Sequence, residues 1–459
     1  MNTVEILDEI SSLLENNQTR PVVEYKDYDT LTDILDIDKK CDGEWDDILH
    51  WIKQYFQYSI DTTQTHFANR MWSGANLPSI LGEIVVALTN TSSCTYESAP
   101  VASIMERYMI DTMLDLIGFE NGTGQMTTGS SNANMISMMI ARNRNNTTTK
   151  KDGLFNQARL YAFVNEDAHY SLDKAINILG IGTEQLVKIK TLSDGAIDTN
   201  DLEKAIDEVI QSGGIPFYVC ATLGTTVRGG YDSITDLVKL REKHNFWLHG
   251  DGAWGGAALM SSRLKNKLLK DVEHLDSFTM DFHKMLGSSL MCNFLVVNHK
   301  GLLTKTCADG DNTYIFRDDN YDSGVSSLQC GRRVDSLKWF LDWKYYGQQG
   351  FSDRVENYYE LAKFTEQSII KRDSLEMVSD RTSFNLCFRF KTGESIDADA
   401  FMQALRDKLY QEQKALIALA HVNGHLIFRL LLSNTNITKE SIEDLLDTIV
   451  DYGEKLLNE

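Results

Sequence analysis

Proline is scarce: Pro21, Pro78, Pro100 and Pro216 are the four in 459 residues, and they are far apart. A Pro-rich linker or an extended polyproline architecture is therefore excluded. Cysteine is sparse and unpatterned. Cys41, Cys94, Cys220, Cys292, Cys307, Cys330 and Cys387 include no CxxC pair and no histidine at ligand spacing, so neither a zinc site nor a disulfide framework is expected. Positive charge is in deficit, with 45 Lys and Arg against 66 Asp and Glu and a formal net charge of -21. Such a surface repels phosphate backbones and anionic headgroups, which argues against nucleic-acid or membrane partners but leaves an anionic small molecule open. No run approaches the roughly 18 apolar residues of a membrane span. The first twenty residues carry Glu5, Asp8, Glu9 and Glu15 instead of an apolar leader, so the chain is expected to be cytoplasmic with reduced thiols.

The length is too great for a single compact core. Three segments are expected: an N-terminal helical segment over 1–85, a large domain over 86–345 and a small C-terminal α+β domain over 346–459. The first opens with Val4, Leu7, Ile10, Leu13 and Leu14 at helical spacing. It could dock on a second subunit or fold over its own domain. In the second, short apolar runs (Leu160 to Val164, Pro216 to Ala221, Phe246 to Leu248, Phe294 to Val297) alternate with amphipathic helical stretches. That alternation predicts a mostly parallel sheet covered by helices, with ligands bound beyond the carboxyl ends of the strands. The third carries strand-like runs Phe384 to Phe390 and Leu426 to Leu432 and closes on a helix with Ile442, Leu445, Leu446 and Ile449. A continuous helix is expected to join the last two segments.

Polar motifs fall where the strands should end. Lys284, in Asp281-Phe-His283-Lys284, follows an apolar-to-polar strand end, where a partly desolvated amine can be neutral and nucleophilic. Most lysines are solvated surface residues, yet His283 before it and Met285-Leu-Gly after it make a solvated setting a poor fit. Asp251, in His249-Gly-Asp251-Gly-Ala253-Trp, stands among small residues that leave room for a flat ring whose nitrogen its carboxylate can keep protonated. It could equally be a loop or N-cap aspartate. His169 offers an imidazole that can stack on such a ring and exchange protons, or a satisfied structural histidine. Thr127-Thr-Gly-Ser130-Ser131-Asn-Ala-Asn precedes the helical run Met135 to Ala141, so backbone N–H groups and hydroxyls could receive a phosphate, or merely cap the helix. Lysine tether, ring carboxylate, stacking imidazole and phosphate cradle are the four things pyridoxal 5'-phosphate (PLP) needs from its protein.

Taken together, Thr-Thr-Gly-Ser-Ser-Asn-Ala-Asn, His169-Tyr-Ser, Thr222-Leu-Gly-Thr-Thr226, His-Gly-Asp-Gly-Ala-Trp-Gly-Gly and His-Lys resemble the group II PLP-dependent amino acid decarboxylases. Thr95-Tyr-Glu-Ser-Ala-Pro100, Gly229-Gly-Tyr-Asp and Gln329-Cys-Gly-Arg-Arg-Val-Asp335 bring the chain closest to the glutamate and cysteine sulfinate decarboxylase branch. The resemblance implies the α/β fold-type I architecture, with a seven-stranded, mostly parallel sheet, a small C-terminal α+β domain and an N-terminal helical arm. It also implies a homodimer. By motif position Lys284 would hold PLP as a Schiff base, His169 would stack on the ring and Asp251 would pair with its nitrogen. Ser130, Ser131 and His283 would approach the phosphate, and Thr226 and Ala253 would line the ring pocket.

Arg429, in Phe428-Arg429-Leu, resembles the family's substrate-carboxylate arginine and interrupts an apolar strand, which calls for an anionic ligand or a structural ion pair. Two departures stand out. Asn69-Arg70-Met71 replaces the branch's Asn-Gln-Leu, so Arg70 adds positive charge that either serves a substrate with an acidic side chain or pairs locally. The loop Tyr314-Ile-Phe-Arg-Asp-Asp-Asn-Tyr321-Asp-Ser-Gly is shorter than usual, and Tyr321 is the candidate proton donor in one placement of the gap. Asp281-Phe282 also stands where the family has Asn-Pro. The expected reaction is decarboxylation of an acidic amino acid, namely glutamate, aspartate or cysteine sulfinate. Rivals are aromatic or diamino acids such as 2,4-diaminobutyrate, another PLP lyase or oxidative deamination, and a cofactor-less scaffold.

Overall fold

The computed structural model describes residues 20–40, 43, 45–308, 316 and 321–459, with 5, 8, 11 and 12. Val4, Leu7, Ile10, Leu13, Leu14, Cys41 and Tyr314 lie outside the described residues. The chain forms two compact units: the larger is Ala75–Lys363 with Ser379–Leu386, the smaller Phe364–Val378 and Cys387–Glu459 with the described part of Met1–Gly74.

The larger unit is built on a seven-stranded sheet. In chain order its strands are β1 (Thr123–Thr127), β2 (Leu160–Asn165), β3 (Leu186–Ile189), β4 (Ile215–Thr222), β5 (Trp247–Asp251), β6 (Ser277–Asp281) and β7 (Asn293–Val297). Across the sheet the order is β1-β7-β6-β5-β4-β2-β3, with β7 antiparallel to both neighbours and every other pairing parallel. The fold-type I expectation is met. Runs such as Ile215-Pro-Phe-Tyr-Val-Cys-Ala-Thr222 are buried along nearly their whole length, as strands covered by helices on both faces must be. Phe163 and Tyr218 are fully buried; each such side chain contributes about 1.5–3 kcal/mol by leaving water.

Helices α1 (Pro100–Ile117), α2 (Ser130–Asn145), α3 (Ser171–Ile178), α4 (Thr199–Gln211) and α5 (Ile234–His244) connect or cover the strands. Local chemistry sets their starts. The Asp198 carboxylate accepts the Asn200 and Asp201 N–H groups at the head of α4, and Ser233 accepts from Asp236 at the head of α5. At α2 the preceding residue is Gly129, whose φ of 116° lies where side-chain-bearing residues are strained, and no side chain caps the first turn. That helix start is thus left with N–H donors to offer.

In the smaller unit β8 (Leu375–Met377), β9 (Asn385–Phe390, whose first two residues belong to the larger unit), β10 (Leu416–Val422) and β11 (His425–Leu431) are joined by the two-residue strand Phe67–Ala68, with Lys439–Leu457 as the closing helix. The division expected at 85 and 345 differs from the one observed, because the 20–74 region clusters with the C-terminal segment. Phe67 pairs in parallel with Leu416, and Val22, Phe67 and Leu416 share a small core with Trp72 and Tyr410. The helical stretch Ser336–Ile370 is broken at Gly347 (φ 62°), and the unit boundary after Lys363 falls in its unbroken second part, so helix runs through that boundary as expected.

Candidate active site

Because β2, β4, β5 and β6 run parallel, their last residues, Asn165, Thr222, Asp251 and Asp281, emerge at one edge of the sheet. The residues after them form the site. Asp251 is buried; its Oδ2 accepts from Asn134 Nδ2 at 2.8 Å and its Oδ1 from the Ala253 N–H at 3.1 Å. Lys284 Nζ lies 3.1 Å from Asp281 Oδ2, and His283 Nε2 lies 3.8 Å from the same oxygen. His169, on the turn between β2 and α3, accepts the Ser171 N–H at its Nδ1 (3.2 Å). Burial pushes its imidazole below the usual range; Asp251 and Asp281 act against that shift and Lys284 with it, so these charges converge on the ring. Burial likewise holds the His283 imidazole down, and its Nδ1 accepts the Cys292 N–H at 3.0 Å. Both rings are thereby kept neutral and able to accept or pass a proton.

Ser130, first residue of α2, is buried and Ser131 beside it is exposed. The Ser130 hydroxyl accepts from Asn293 Nδ2 at 2.9 Å, and the same amide reaches Asp281 Oδ1 at 2.7 Å. The Thr127 hydroxyl donates to Asn293 Oδ1. Asn293 therefore ties the helix start to the strand that delivers Lys284. Thr226 is held by its carbonyl, which accepts from Asn385 Nδ2 at 3.3 Å, while Asn385 Oδ1 accepts from Trp254 Nε1 at 2.8 Å. Sequence reasoning missed Asn134, Asn293 and Asn385. The available signal was a lone amide in an apolar run at Asn293 and Asn385, and at Asn134 the second asparagine of the Ser-Ser-Asn-Ala-Asn motif.

Lys284, Asp251, His169, Ser130, Ser131, Thr226, Ala253 and His283 all lie in the larger unit, on the segments that follow the strand ends or begin α2. Arg70 and Arg429 lie in the smaller one. Arg429 is 8% exposed, donates to the Asn69 carbonyl at 2.7 Å, and has its guanidinium pushed down to about 10 by burial and then by the charge of Arg70. Arg70 itself is exposed. Tyr321 belongs to a second cluster of the larger unit. It is 53% exposed and its ring packs on Tyr96 with centroids 5.5 Å apart, while Asp322 accepts the Tyr96 N–H at 2.7 Å.

The residues present fit a phosphorylated aromatic aldehyde. There is a lysine amine for the carbonyl, a buried carboxylate for a ring nitrogen, an uncapped helix start for a phosphate and an imidazole for a ring face. Among the described residues the Thr222 hydroxyl, buried at the end of β4 opposite Asp251, has no hydrogen-bond partner, as a polar atom facing a ligand would. A Cβ on Gly129 would lie 2.5 Å from Met291 Cε, so the turn into α2 is closely packed as well as left-handed.

Sheet and site together define a PLP-dependent enzyme of fold type I. Residues 30–391 match the pyridoxal-dependent decarboxylase conserved domain, and the chain belongs to that family. It is 31% identical to a mouse acidic amino acid decarboxylase over 449 residues, 94% of this chain and 82% of that protein. It is also 31% identical to human cysteine sulfinic acid decarboxylase over 455 residues, 95% and 92% of the two chains. The crystal structure of mouse CSAD in apo form superposes with a TM-score of 0.93 at 29% identity, covering 98% of this chain and 99% of that one. A rice TDC structure with PLP and tryptamine shares the fold, with a TM-score of 0.90 at 22% identity. The protein is a PLP-dependent carboxy-lyase acting on an amino acid. Among the described residues no helix is long and apolar enough to cross a membrane.

Proposed function

We propose that this decarboxylase takes an acidic L-amino acid, with glutamate, aspartate and cysteine sulfinate as the candidates. The observation that carries the reading is Arg429, a buried guanidinium placed where the nearby charge of Arg70 makes it costlier still. A bound carboxylate or sulfinate would offset both costs and suits the planar fork of arginine. The names of the mouse and human relatives point the same way.

When bound, PLP supplies a protonated ring that accepts the electron pair left as carbon dioxide departs. The protein's part is orientation and proton management. Lys284 would hold the cofactor through its amine, Asp251 would pair with the ring nitrogen, and His169 would cover one ring face. Ser130, Ser131, His283 and the start of α2 would receive the phosphate, and Thr226 and Ala253 would line the ring. Arg429 and Arg70 would bind the substrate's acidic groups. Tyr321 or His169 would be the group that supplies the proton the product needs.

The chain acts as a homodimer in this reading. Leu77, Leu81, Val85 and Leu88 on Leu77–Thr89, with Val101, Ile104 and Tyr108 on α1, leave an exposed apolar face suited to a second copy. Sedimentation of the wild type against Leu81→Glu tests it: a dimer in both would remove this face from the interface. A cytoplasmic location suits the six described cysteines, which form no disulfide. The substrate test is amine and CO2 release by PLP-loaded protein from glutamate, aspartate, cysteine sulfinate, tyrosine, histidine and 2,4-diaminobutyrate, with Lys284→Ala as control. Turnover confined to the acids supports the proposal. Turnover of neutral or basic substrates in their place overturns it.

A further inference from the structure

Behind Asp251 runs a chain of buried hydrogen bonds that the proposed roles leave unused. Asn134, fully buried on α2, donates from Nδ2 to Asp251 Oδ2 (2.8 Å) and to Ser171 Oγ (3.0 Å). Both amide hydrogens are then spent, so Oδ1 is left to accept, and it faces His249 Nε2 at 2.9 Å. His249 must therefore carry its proton on Nε2. Its Nδ1 accepts from the Ser277 hydroxyl at 2.8 Å, and Ser277 in turn accepts from Trp247 Nε1 at 2.9 Å. Every donor in the series points toward Asp251. Such a series has one stable direction because reversing any member leaves a buried donor facing a donor.

We propose that His249 and Asn134 are positioning residues, which fix the Asp251 carboxylate and leave its negative charge for the ring nitrogen of the cofactor. The chemistry of His249 suits the task. Burial pushes its imidazole down to about 4 against the pull of Asp251, so it stays neutral across the working range. A charged imidazolium here would draw on the Asp251 charge and compete with the ring. The Asn134–Ser171 bond extends the arrangement to His169, because the Ser171 N–H is the donor that His169 Nδ1 accepts. One amide thus sets the carboxylate at the ring nitrogen and the turn that carries the imidazole.

The inference rests on Asp251 being the cofactor's partner, and Asp251→Ala tests that premise separately. The experiment measures PLP dissociation and the pH at which the visible band of the bound cofactor changes form, for His249→Leu, His249→Gln, Ser277→Ala and Asp251→Ala, each checked for native circular dichroism. His249→Leu should weaken retention about 10-fold, the worth of one hydrogen bond passed to a charged group, and displace the titration. His249→Gln, which can still donate to Asn134 Oδ1, should recover most of both. Ser277→Ala keeps the histidine but removes the donor to Nδ1, so a smaller displacement is expected in a protein whose strand packing is intact. In an Asp251→Ala background the His249→Leu change should add nothing, because the route to the cofactor is gone. Unchanged retention and titration in folded Ser277→Ala and His249→Leu, or full additivity with Asp251→Ala, would overturn the proposal. Should Asp251→Ala itself keep wild-type retention and titration, the premise fails and not the series behind it.

Discussion

Arg429→Met separates a substrate-binding arginine from a structural one, since the two roles give opposite signs for stability. The Arg429 guanidinium is lowered to about 10 by burial and by Arg70. That displacement corresponds to about 3 kcal/mol against the charged form in the folded chain. The folded value lies below the unfolded one, so this penalty is present at every pH below about 10 and therefore at neutrality. Methionine removes the charge and keeps much of the volume. It forfeits the bond to the Asn69 carbonyl, worth about 1 kcal/mol. The bond to Asn69 is one of several contacts that are lost, so the variant should gain at most about 2 kcal/mol in urea titration at pH 7.5. Its kcat/KM for the acidic substrate should fall roughly 100-fold, the equivalent of about 3 kcal/mol for a charge-assisted pair. A variant that loses several kcal/mol while keeping kcat/KM would refute the reasoning, because that is how a broken buried ion pair behaves.

Asp342, buried with Asn76 and Ser288 on its Oδ2, is pushed up to about 6 by burial. An acid whose folded value is raised loses stability as pH climbs from its unfolded value through the folded one. Asp342→Asn should therefore gain up to about 3 kcal/mol over wild type at pH 8 and almost nothing near pH 4, as read from denaturant midpoints; lower stability of the variant at pH 8 would sink the idea. Glu106 and Arg332 form a buried pair at 2.6 Å, and Arg332 also holds Ser323 near Tyr321 at 2.7 Å. Glu106→Gln should cost about 3–5 kcal/mol, and Glu106→Met with Arg332→Met should recover part of it; equal losses in the single and the double variant would show that the pairing is not the cause. Gly129→Ala places a Cβ at φ 116° and against Met291. It should weaken PLP retention by about 1–3 kcal/mol, seen by equilibrium dialysis; wild-type retention would show that the turn does not shape the phosphate cradle.

The seven-stranded sheet was legible because its strands are continuous apolar runs, and the polar residue ending each run marked the ligand edge. Lys284, Asp251 and His169 could be proposed for the same reason: a charged or titratable side chain at or just beyond the end of a buried strand invites a functional reading. The N-terminal region was not. Phe67 pairs with Leu416 across almost the whole chain, and a two-residue strand carries no periodicity that could announce the pairing. The break at Gly347 was hidden as well, since one glycine in a helical pattern is tolerated as often as it interrupts. The amides Asn134, Asn293 and Asn385 escaped because an asparagine is most often a surface or capping residue, and their function arises from what several strands bring to one point.

Those amides also bear on how such a site is built. Asp251, Asp281 and Lys284 gather at one edge of the sheet, where both carboxylates are buried and an added charge would act strongly. An amide offers two donors and an acceptor in a rigid plane with no net charge, so it can fix a carboxylate without titrating beside it. Asn134 bridges α2, β5 and the start of α3, Asn293 bridges β7, α2 and β6, and Asn385 bridges β9 to the turns after β4 and β5. Each is therefore a joint between elements whose ends carry the charged groups. The geometry of the charged residues is set by neutral ones, as the proposed cofactor roles require.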